Sequence, residues 1–241
     1  MDQQKVNFIV LQHVLLRGTG VNTSETASGA NVAGKECAQE LGLSIEDEMD
    51  FPRLGILRQM MHFSEACRPH NLFAVPALFT NRELDDPSEG EVITSGMHLV
   101  ENERLFIVIN ENPFAATEES KRLEKAKEAK KQGGEYIDPD NDRLAAHAAR
   151  ENGAKVLMLL SNVNGFKTKD GKLVRKIKVE NVDEMIAKHC VGKSNSGKGG
   201  MKTKMLAAKM AAEAGIEVVI ANAFNDYRRL LEGEGGTRVV Q

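Results

Sequence analysis

A run rich in glycine and lysine, GKSNSGKGGMKTK, occupies residues 192–204 and is the stretch of the chain best suited to bind phosphate. Glycine allows backbone N–H groups to converge on an anion, and the positive end of a helix dipole favours negative charge. A helical pattern begins within this run, so several lysines stand at a predicted helix entrance. A flexible basic surface loop would have the same composition, and the neighbouring elements must decide between the two interpretations.

The helix that begins there is predicted to bury one apolar stripe, because small or apolar residues recur at spacings of three and four. The stripe consists of Met201, Met205, Ala208 and Ala212. Lys202 and Lys209 lie on one flank of it, whereas Lys204 lies on the other flank, about 150° away at 3.6 residues per turn. The pattern therefore sets Lys204 apart as the lysine that can point back over the glycine-rich loop.

The same run nearly matches the P-loop pattern GxxxxGK[ST] over residues 192–198. Gly199 stands where that pattern requires the serine or threonine that holds magnesium. The run also follows a predicted helix rather than an apolar strand. The sequence therefore favours another kind of phosphate loop, with a P-loop NTPase as the disfavoured alternative.

Composition excludes several classes of protein. The 241 residues carry a formal net charge of −3, which argues against a dedicated nucleic-acid binder. Three scattered cysteines without a CxxC pair argue against a disulfide framework or a zinc site and fit a reducing cytoplasm. No apolar run reaches the roughly 18 residues that span a membrane. The N-terminal stretch lacks the features of a signal peptide and is predicted to be a strand.

Apolar strands alternate with helices along the chain. Strands are predicted at residues 6–16, 72–79, 105–109, 155–160 and 217–221, and helices at residues 30–43, 52–66, 91–102, 140–150, 182–189 and 201–214. A polar hairpin is predicted at residues 166–178, a charged surface helix or excursion at 118–132, and a short final strand at the C-terminus. This alternation predicts an α/β fold with a mainly parallel sheet covered on both faces.

Polar side chains follow three of the predicted strands. They are Asn110, Glu111 and Asn112 after one strand, Ser161 and Asn162 after another, and Asn222 after a third. A further acidic group, residues 140–142, precedes a helix. Each group alone is compatible with an ordinary turn or helix cap. Since ligands of parallel α/β sheets bind beyond the carboxyl ends of the strands, the groups together predict a polar site facing the phosphate loop.

These segments together resemble the amino acid kinase family, and within it the glutamate 5-kinases, from about residue 27 onward. The segments that carry the resemblance are SGANVAGKECAQELGL (28–43), FPRLGILRQMMHF (51–63), ALFTNRELDD (77–86), INENPFAAT (109–117), DPDNDRLAAHAA (138–149), SNVNGFKTKDGK (161–172) and GKGGMKTKMLAAKMAAEAGIEVVIAN (197–222). The last of these and the DND segment are the most specific. The resemblance implies an open three-layer α/β sandwich with a mainly parallel central sheet. It also implies a single kinase-like domain over residues 1–241, with no C-terminal RNA-binding-like domain.

The resemblance further implies an activity, namely ATP-dependent phosphorylation of the γ-carboxylate of L-glutamate, the first step of proline biosynthesis. ATP and Mg²⁺ are the expected cofactors, and a small-molecule substrate is the expected partner. A cytoplasmic homo-oligomer is expected, with no nucleic acid or membrane as a partner. Such chemistry needs positioning and charge neutralisation more than covalent catalysis, which suits lysines and backbone N–H groups.

Site residues are carried over position by position. Lys204 matches the transition-state lysine, and the residues expected to wrap the ATP phosphates are Lys198, Gly199, Gly200, Met201, Lys202, Thr203 and Lys204. Ser161 and Asn162 match a pair at the nucleotide site. Ser28, Asn112 and Asn141 are expected to bind glutamate. Asp140 and Asp142 are expected to organise the loop and to orient the substrate or metal-bound water, with Asp142 assigned a catalytic role. No residue is assigned as a direct metal ligand, and the turn at residues 18–20 is a candidate second phosphate loop.

Three departures from the family pattern bear on these expectations. Pro113 occupies the position of an aspartate that should hold the substrate amino group, and Asn162 replaces an aspartate. Only 27 residues precede Ser28, fewer than the expected strand, Lys-x-Gly-Ser/Thr loop, helix and second strand need. Either residues 6–16 are the second strand, or Arg17 stands near the place of the lysine, which a forked guanidinium does not replace equivalently. The alternatives are therefore an active glutamate kinase, a catalytically impaired binding homologue, or a kinase for another small acidic substrate.

Overall fold

The structure is a computed structural model that describes residues 3–17, 23–27, 30–46, 50–80, 102–114, 141–190 and 200–241. The chain forms two compact units. The first comprises Met1–Val10 and Asn22–Asn141, and the second comprises Leu11–Val21 and Asp142–Gln241.

The first half of the chain begins with helix α1 (Gln3–Arg17), whose residues are divided between the two units. The first unit continues with strand β1 (Glu25–Thr26), helix α2 (Ala30–Glu40), helix α3 (Asp50–Cys67), a 3₁₀ turn (Arg68–His70), strand β2 (Phe73–Phe79) and strand β3 (Leu105–Glu111). Its sheet has the order β1-β3-β2, and both strand pairs are parallel. The central strand, β3, is fully buried from Phe106 to Asn110.

Helices α2 and α3 cross at two glycines. A Cβ atom on Gly34 would overlap the carbonyl oxygen of Phe51, and a Cβ atom on Gly55 would overlap the carbonyl oxygen of Ala30. Only glycine lets the two backbones approach so closely. The helix pair is therefore specified by these two positions as well as by its apolar side chains.

The strand predicted at residues 6–16 is wrong, because this stretch forms helix α1. The apolar run alone suggested a strand, but the buried residues recur with helical spacing. They are Val6, Ile9, Val10, Gln12, His13 and Leu16. Gln12 and His13 belong to the buried face of the helix although they are polar. Because they are polar, the helical period of this face is not visible in the sequence. The alternative in which this stretch is the second strand of the fold is therefore wrong.

The second unit contains most of helix α4 (Asn141–Glu151), then strand β4 (Val156–Ser161), strand β5 (Lys176–Lys178), a 3₁₀ turn (Val179–Asn181) and helix α5 (Val182–His189). It continues with helix α6 (Met201–Glu213), strand β6 (Glu217–Asn222), helix α7 (Tyr227–Leu231) and strand β7 (Thr237–Val240). Its sheet has the order β4-β6-β7-β5. Strands β4 and β6 are parallel, as are β5 and β7, whereas β6 and β7 are antiparallel.

The core of the second unit lies where α4, α5 and α6 pack with its sheet. Met205, Ala208 and Ala212 of α6 are fully buried there, and Met201 packs partly buried against them, which confirms the predicted stripe. Alanines of α4, including Ala146, lie in the same cluster. Helices α4 and α6 therefore contribute to the same core.

The predicted α/β class with mainly parallel strands is confirmed, and the described strands form two sheets, one in each unit. The predicted hairpin at residues 166–178 contains an antiparallel bridge between Lys167 and Leu173, after which β5 pairs with β7. Strand β1 and helix α7 are short and were not predicted. The predicted helix at 91–102 and the charged helix or excursion predicted at 118–132 lie outside the described residues, except Asn102, whose carbonyl oxygen accepts a hydrogen bond from the Leu105 N–H. None of the helices in the described part of the chain is long and apolar enough to cross a membrane.

Candidate active site

The entrance of helix α6 is built from backbone. Gly200 is its N-cap, in an extended conformation, and makes no side-chain capping hydrogen bond. Thr203 Oγ1 donates a hydrogen bond of 2.8 Å to the carbonyl oxygen of Gly200, and the Lys204 N–H donates to the same oxygen at 3.3 Å. The first turn carries no acidic residue, and Lys202 is exposed. This helix entrance therefore presents positive charge and has no side-chain anion of its own.

Lys204 forms an ion pair with Asp142 in the second unit. The distance from Lys204 Nζ to Asp142 Oδ1 is 2.7 Å, and the side chains are only 17% and 14% exposed. Asp142 lies in the first turn of α4, where a carboxylate is favoured by the helix dipole. A charge-assisted hydrogen bond of this length holds the ammonium group in one place. Lys204 thus lies apart from the exposed lysines of its helix, as the helical spacing predicted.

Lys209, on the same helix, lies in different surroundings from Lys204. It lies on the other flank of α6 and pairs with Asp183 and Glu213, whose side chains are mostly exposed. The ion pair with Asp183 raises the pKa of Lys209, and this pair is at the surface. Surface pairs of this kind contribute little to stability or function. The same helix therefore provides a lysine with which Lys204 can be compared directly.

The carboxyl ends of β4 and β6 lie side by side, with Ser161 paired in register with Asn222. The Ser161 side chain accepts a hydrogen bond of 3.1 Å from the Val163 N–H, and the Asn222 side-chain amide donates to the Asn162 carbonyl oxygen at 3.3 Å. The structure thus brings Ser161 and Asn162 together with Asn222 at one edge of the sheet. Their role at a nucleotide site remains a prediction.

Two of the predicted substrate residues lie in the first unit. Asn141 donates from its side-chain amide to the Ala27 carbonyl oxygen at 2.8 Å. Asn112 follows β3, and its side-chain oxygen accepts a hydrogen bond of 3.1 Å from the Phe114 N–H. Both side chains are therefore oriented by backbone contacts. Their role in glutamate binding is untested and stays a prediction.

The turn that holds Pro113 contains a contact that the sequence did not predict. Arg53 Nε donates to the Pro113 carbonyl oxygen at 3.2 Å, and its guanidinium also pairs with Asp50 at 2.8 Å. A cation therefore lies beside the position where the family pattern has an aspartate. Arg53 stands in a helical stretch 60 residues earlier in the chain, and nothing in the local sequence marks it as part of this turn.

A second unpredicted contact supports the end of β3. Gln59 of α3 and Asn110 of β3 are buried, and their side-chain amides form a hydrogen bond of 3.1 Å. The Asn110 side-chain oxygen accepts in turn from the Glu111 N–H at 2.9 Å. The sequence did contain one indication of this contact, because Gln59 lies in an otherwise apolar helical face and a buried amide needs a hydrogen-bond partner. The pair fixes the strand end that precedes Asn112.

Helix α4 also carries a buried titratable group, His147. Loss of water contact lowers the pKa of His147 to about 4, and the positive charges of Arg150 and Arg143 act in the same direction. Burial likewise lowers the pKa of Arg143. We assign the buried His147 to the stability of α4.

Several predicted site residues lie outside the described residues, namely Ser28, Lys198, Gly199, Asp140 and the turn at 18–20. The whole of the disfavoured P-loop match, residues 192–198, lies there too. Arg17 ends helix α1.

A magnesium ion fits the described residues as a partner of bound phosphate. No cluster of three or more histidine, cysteine or acidic side chains able to hold a metal occurs in the described ranges. Mg²⁺ in phosphotransferases is commonly held by one or two carboxylates together with phosphate oxygens and water. Asp142, a carboxylate in direct contact with Lys204, would be available to such an ion.

Known proteins of similar sequence include several kinases. Glutamate 5-kinase 2 of Mesorhizobium japonicum is 31% identical over 207 residues, which cover 83% of this chain and 67% of that protein. The glutamate 5-kinase of Dehalococcoides mccartyi is 28% identical, covering 92% of this chain and 58% of its own length. That of Alkaliphilus metalliredigens is 28% identical, covering 95% and 84%. The chain thus spans from a little over half to about five sixths of these relatives.

Solved structures with a similar fold are more distant in sequence. Carbamate kinase from Giardia lamblia bound to AMP-PNP has a TM-score of 0.65 and 14% identity, covering 99% of this chain and 90% of that one. UMP kinase from Bacillus anthracis has a TM-score of 0.61 and 15% identity, covering 100% and 88%. These likenesses support the fold. The sequence profile of the amino acid kinase family matches residues 28–222. The chain belongs to the amino acid kinase family.

Proposed function

We propose that the protein transfers the γ-phosphoryl group of ATP to the γ-carboxylate of L-glutamate, giving glutamyl 5-phosphate, the first step of proline biosynthesis. The observation that carries the proposal is the contact of 2.7 Å between Lys204 Nζ and Asp142 Oδ1 beside the entrance of helix α6. The identity of 28–31% with glutamate 5-kinases supports glutamate as the acceptor. We propose further that the protein acts in the cytoplasm as a homo-oligomer, which light scattering of the purified chain tests.

In this reaction a carboxylate oxygen of glutamate attacks the γ-phosphorus, and the bond from that phosphorus to the β–γ bridging oxygen breaks. ADP leaves, and no proton is transferred in the step. Lys204 neutralises charge that develops on the transferred group, and Asp142 holds its ammonium in place. Bound Mg²⁺ supplies further neutralisation of the phosphate oxygens.

The remaining roles follow the sequence assignment. Backbone N–H groups of the stretch from Lys198 to Lys204 bind the phosphates, and Ser161 and Asn162 contact the nucleotide. Ser28, Asn112 and Asn141 bind the acceptor. The hydrogen bond from Asn141 to the Ala27 carbonyl oxygen supports this role, because it fixes the side chain before any substrate arrives.

The test is formation of glutamyl hydroxamate from ATP, Mg²⁺, L-glutamate and hydroxylamine. The wild type and Lys209→Met should be active, and Lys204→Met should lose activity by about 100- to 1000-fold, the scale of removing one preorganised charge-stabilising group. Lys209→Met removes the same charge from the same helix at an exposed flank. Folded wild-type protein without turnover, or equal activity of Lys204→Met, would contradict the proposal.

A second candidate is a kinase for a different small acidic substrate. Pro113 replaces the family aspartate, and the guanidinium of Arg53 donates to the Pro113 carbonyl oxygen. A guanidinium in this place disfavours the ammonium group of an amino acid and favours a second anionic group, which would bind in competition with Asp50. Comparison of kcat/KM for L-glutamate and for glutarate, the same dicarboxylate without the amino group, separates the two. A preference for glutarate that Arg53→Gln reduces would support this candidate.

A binding homologue without turnover is the third outcome. It predicts that ATP raises the melting temperature of the protein while the rate of ADP release stays equal to that of Lys204→Met. Turnover above that of Lys204→Met excludes it, whichever acceptor is used.

A further inference from the structure

A cavity lies at the amino end of strands β2 and β3, within the first unit. Its volume is about 570 Å³, which is in the range of small-molecule sites. Its walls come from the end of α3, from the turn before β2 and from the turn before β3. The residues that line it include Glu65, Arg68, Asn71, Phe73, Asn102 and Arg104. None of them has a role in the proposed kinase reaction.

The cavity is far from the acceptor residues of its own unit. Phe73 and Leu105 are paired at the start of the two strands, and Phe79 and Glu111 are paired at their carboxyl ends. Six residue steps at 3.3 Å each separate these ends by about 20 Å. Asn112 follows the carboxyl end. A ligand in the cavity therefore binds at a place separate from the residues proposed for glutamate.

Backbone contacts hold the two turns in place. The Phe73 N–H donates to the Arg104 carbonyl oxygen at 2.8 Å, and the Asn71 N–H donates to the Arg68 carbonyl oxygen at 3.1 Å. The Asn102 side-chain oxygen accepts from the Arg104 N–H at 3.0 Å. The cavity is thus formed by ordered backbone and does not depend on side-chain rotamers alone.

Two guanidinium groups give the cavity its chemistry. Arg68 and Arg104 are both exposed, and neither forms an ion pair with any residue that the structure describes. The Arg104 guanidinium donates to the Asn71 side-chain oxygen at 3.4 Å, which orients it. Guanidinium groups bind carboxylate and phosphate through paired N–H donors. Glu65 also lines the cavity, so these three charged side chains carry a net charge of +1, from two arginines and one glutamate.

An apolar surface lies beside these charges. The Phe73 side chain is 70% exposed although it belongs to a strand of the sheet. Leu72 and Leu105 line the same cavity. An exposed aromatic ring is unfavourable in water, so a ligand whose apolar part covers the ring is stabilised by burial of that surface. The cavity therefore combines a cationic edge with an apolar wall.

We infer that this cavity is a binding site for a small organic anion, with its carboxylate or phosphate on Arg68 and Arg104 and its apolar body against Phe73. The ligand carries one or two negative charges, to match the net charge of the walls. Inorganic phosphate lacks the apolar body and binds more weakly. An uncharged aromatic molecule lacks the anion and does not bind measurably.

Titration calorimetry with four probes tests the site, namely phenyl phosphate, benzoate, phenol and inorganic phosphate. The wild type should bind phenyl phosphate or benzoate saturably, and the stronger of these two identifies the anion that the arginines prefer. Arg68→Gln and Arg104→Gln should each weaken this binding by tenfold or more. Arg175→Gln is the matched control, because it removes the same charge from an exposed position in the other unit. Lys204→Met should bind the probe as the wild type does.

Chemical-shift mapping on the wild-type protein provides a measurement that needs no variant. The probe that binds should shift the amide signals of Asn71, Phe73 and Leu105 and leave that of Gly200 unchanged. The inference is overturned if neither anion binds, if both arginine variants bind as the wild type does, or if binding is lost in Lys204→Met alone. The last result would assign the probe to the proposed phosphate loop.

Discussion

The ammonium group of Lys204 and the carboxylate of Asp142 lie 2.7 Å apart, and each belongs to the first turn of its helix. Both helices contribute small side chains to the core of the second unit, and the ion pair joins their first turns. The carboxylate fixes the position of the lysine ammonium group before an anionic ligand binds. This relationship is the basis of the proposed mechanism and of the first prediction.

Asp142→Asn should keep the shape of the side chain and lose the charge that holds Lys204. We expect kcat to fall by about 10- to 100-fold, less than the loss expected for Lys204→Met, because the lysine remains but is less well placed. Unfolding in urea should show a loss of about 1–3 kcal/mol, the cost of a hydrogen bond removed from a mostly buried group. Equal activity of Asp142→Asn and the wild type would show that the ion pair does not position the lysine.

Gln59→Leu tests the buried amide pair behind β3. The substitution leaves the side-chain amide of Asn110 without its partner, and we expect the free energy of unfolding to fall by about 1–3 kcal/mol. A double-mutant cycle with Asn110→Leu measures the coupling of the two side chains. A coupling energy indistinguishable from zero would contradict the contact described here.

Gly55→Ala tests the close crossing of α2 and α3. A Cβ atom at this position would overlap the Ala30 carbonyl oxygen, which is backbone and cannot move without separating the helices. We expect a loss of about 3 kcal/mol or more in urea unfolding, at the upper end of the cost of overpacking. Glu36→Ala, at an exposed position of α2, is the control and should change stability by less than about 0.5 kcal/mol.

The fold could be predicted from the sequence wherever the pattern was local. The apolar run of β3 and the stripe of α6 were recognised because burial there follows the period of a strand or a helix. Helix α1 was mistaken for a strand, since Gln12 and His13 interrupt its apolar face while being buried themselves. Burial of polar residues depends on partners from elsewhere in the chain, such as the Tyr227 N–H that donates to the Gln12 side chain at 3.0 Å.

The sequence likewise predicted some residues of the candidate site but not the contacts between them. Helical spacing separated Lys204 from Lys202 and Lys209, and the resemblance directed attention to Asp142, but no pattern stated that Lys204 and Asp142 touch. The contact of Arg53 with the Pro113 carbonyl oxygen joins residues 60 positions apart. Such a contact depends on how α3 packs beside β3. A local pattern of apolar residues in the sequence does not predict this packing.

Stability should depend on pH through His147. Its pKa is about 4 in the folded protein and about 6.5 when the chain is unfolded, so the unfolded state binds more protons between these values. The contribution of this group is therefore fully present above pH 6.5 and is lost as the pH falls towards 4. We expect the loss to be on the order of 2 kcal/mol.

The measurement is the difference in unfolding free energy between pH 7.5 and pH 4.5, for the wild type and for His147→Gln. The variant should show a smaller difference, because glutamine does not titrate. Equal pH dependence of the two proteins would show that His147 titrates normally in the folded state.

In the proposed reaction, a carboxylate oxygen of glutamate attacks the γ-phosphorus of ATP. This step is tested most directly with L-glutamate carrying ¹⁸O in its γ-carboxylate, followed by mass analysis of the phosphate released when the product cyclises. We predict that this phosphate carries one ¹⁸O atom with the wild type, and that Lys204→Met releases little labelled phosphate. Unlabelled phosphate from the folded wild-type protein would mean that water, and not the glutamate carboxylate, accepts the phosphoryl group, and would contradict the account.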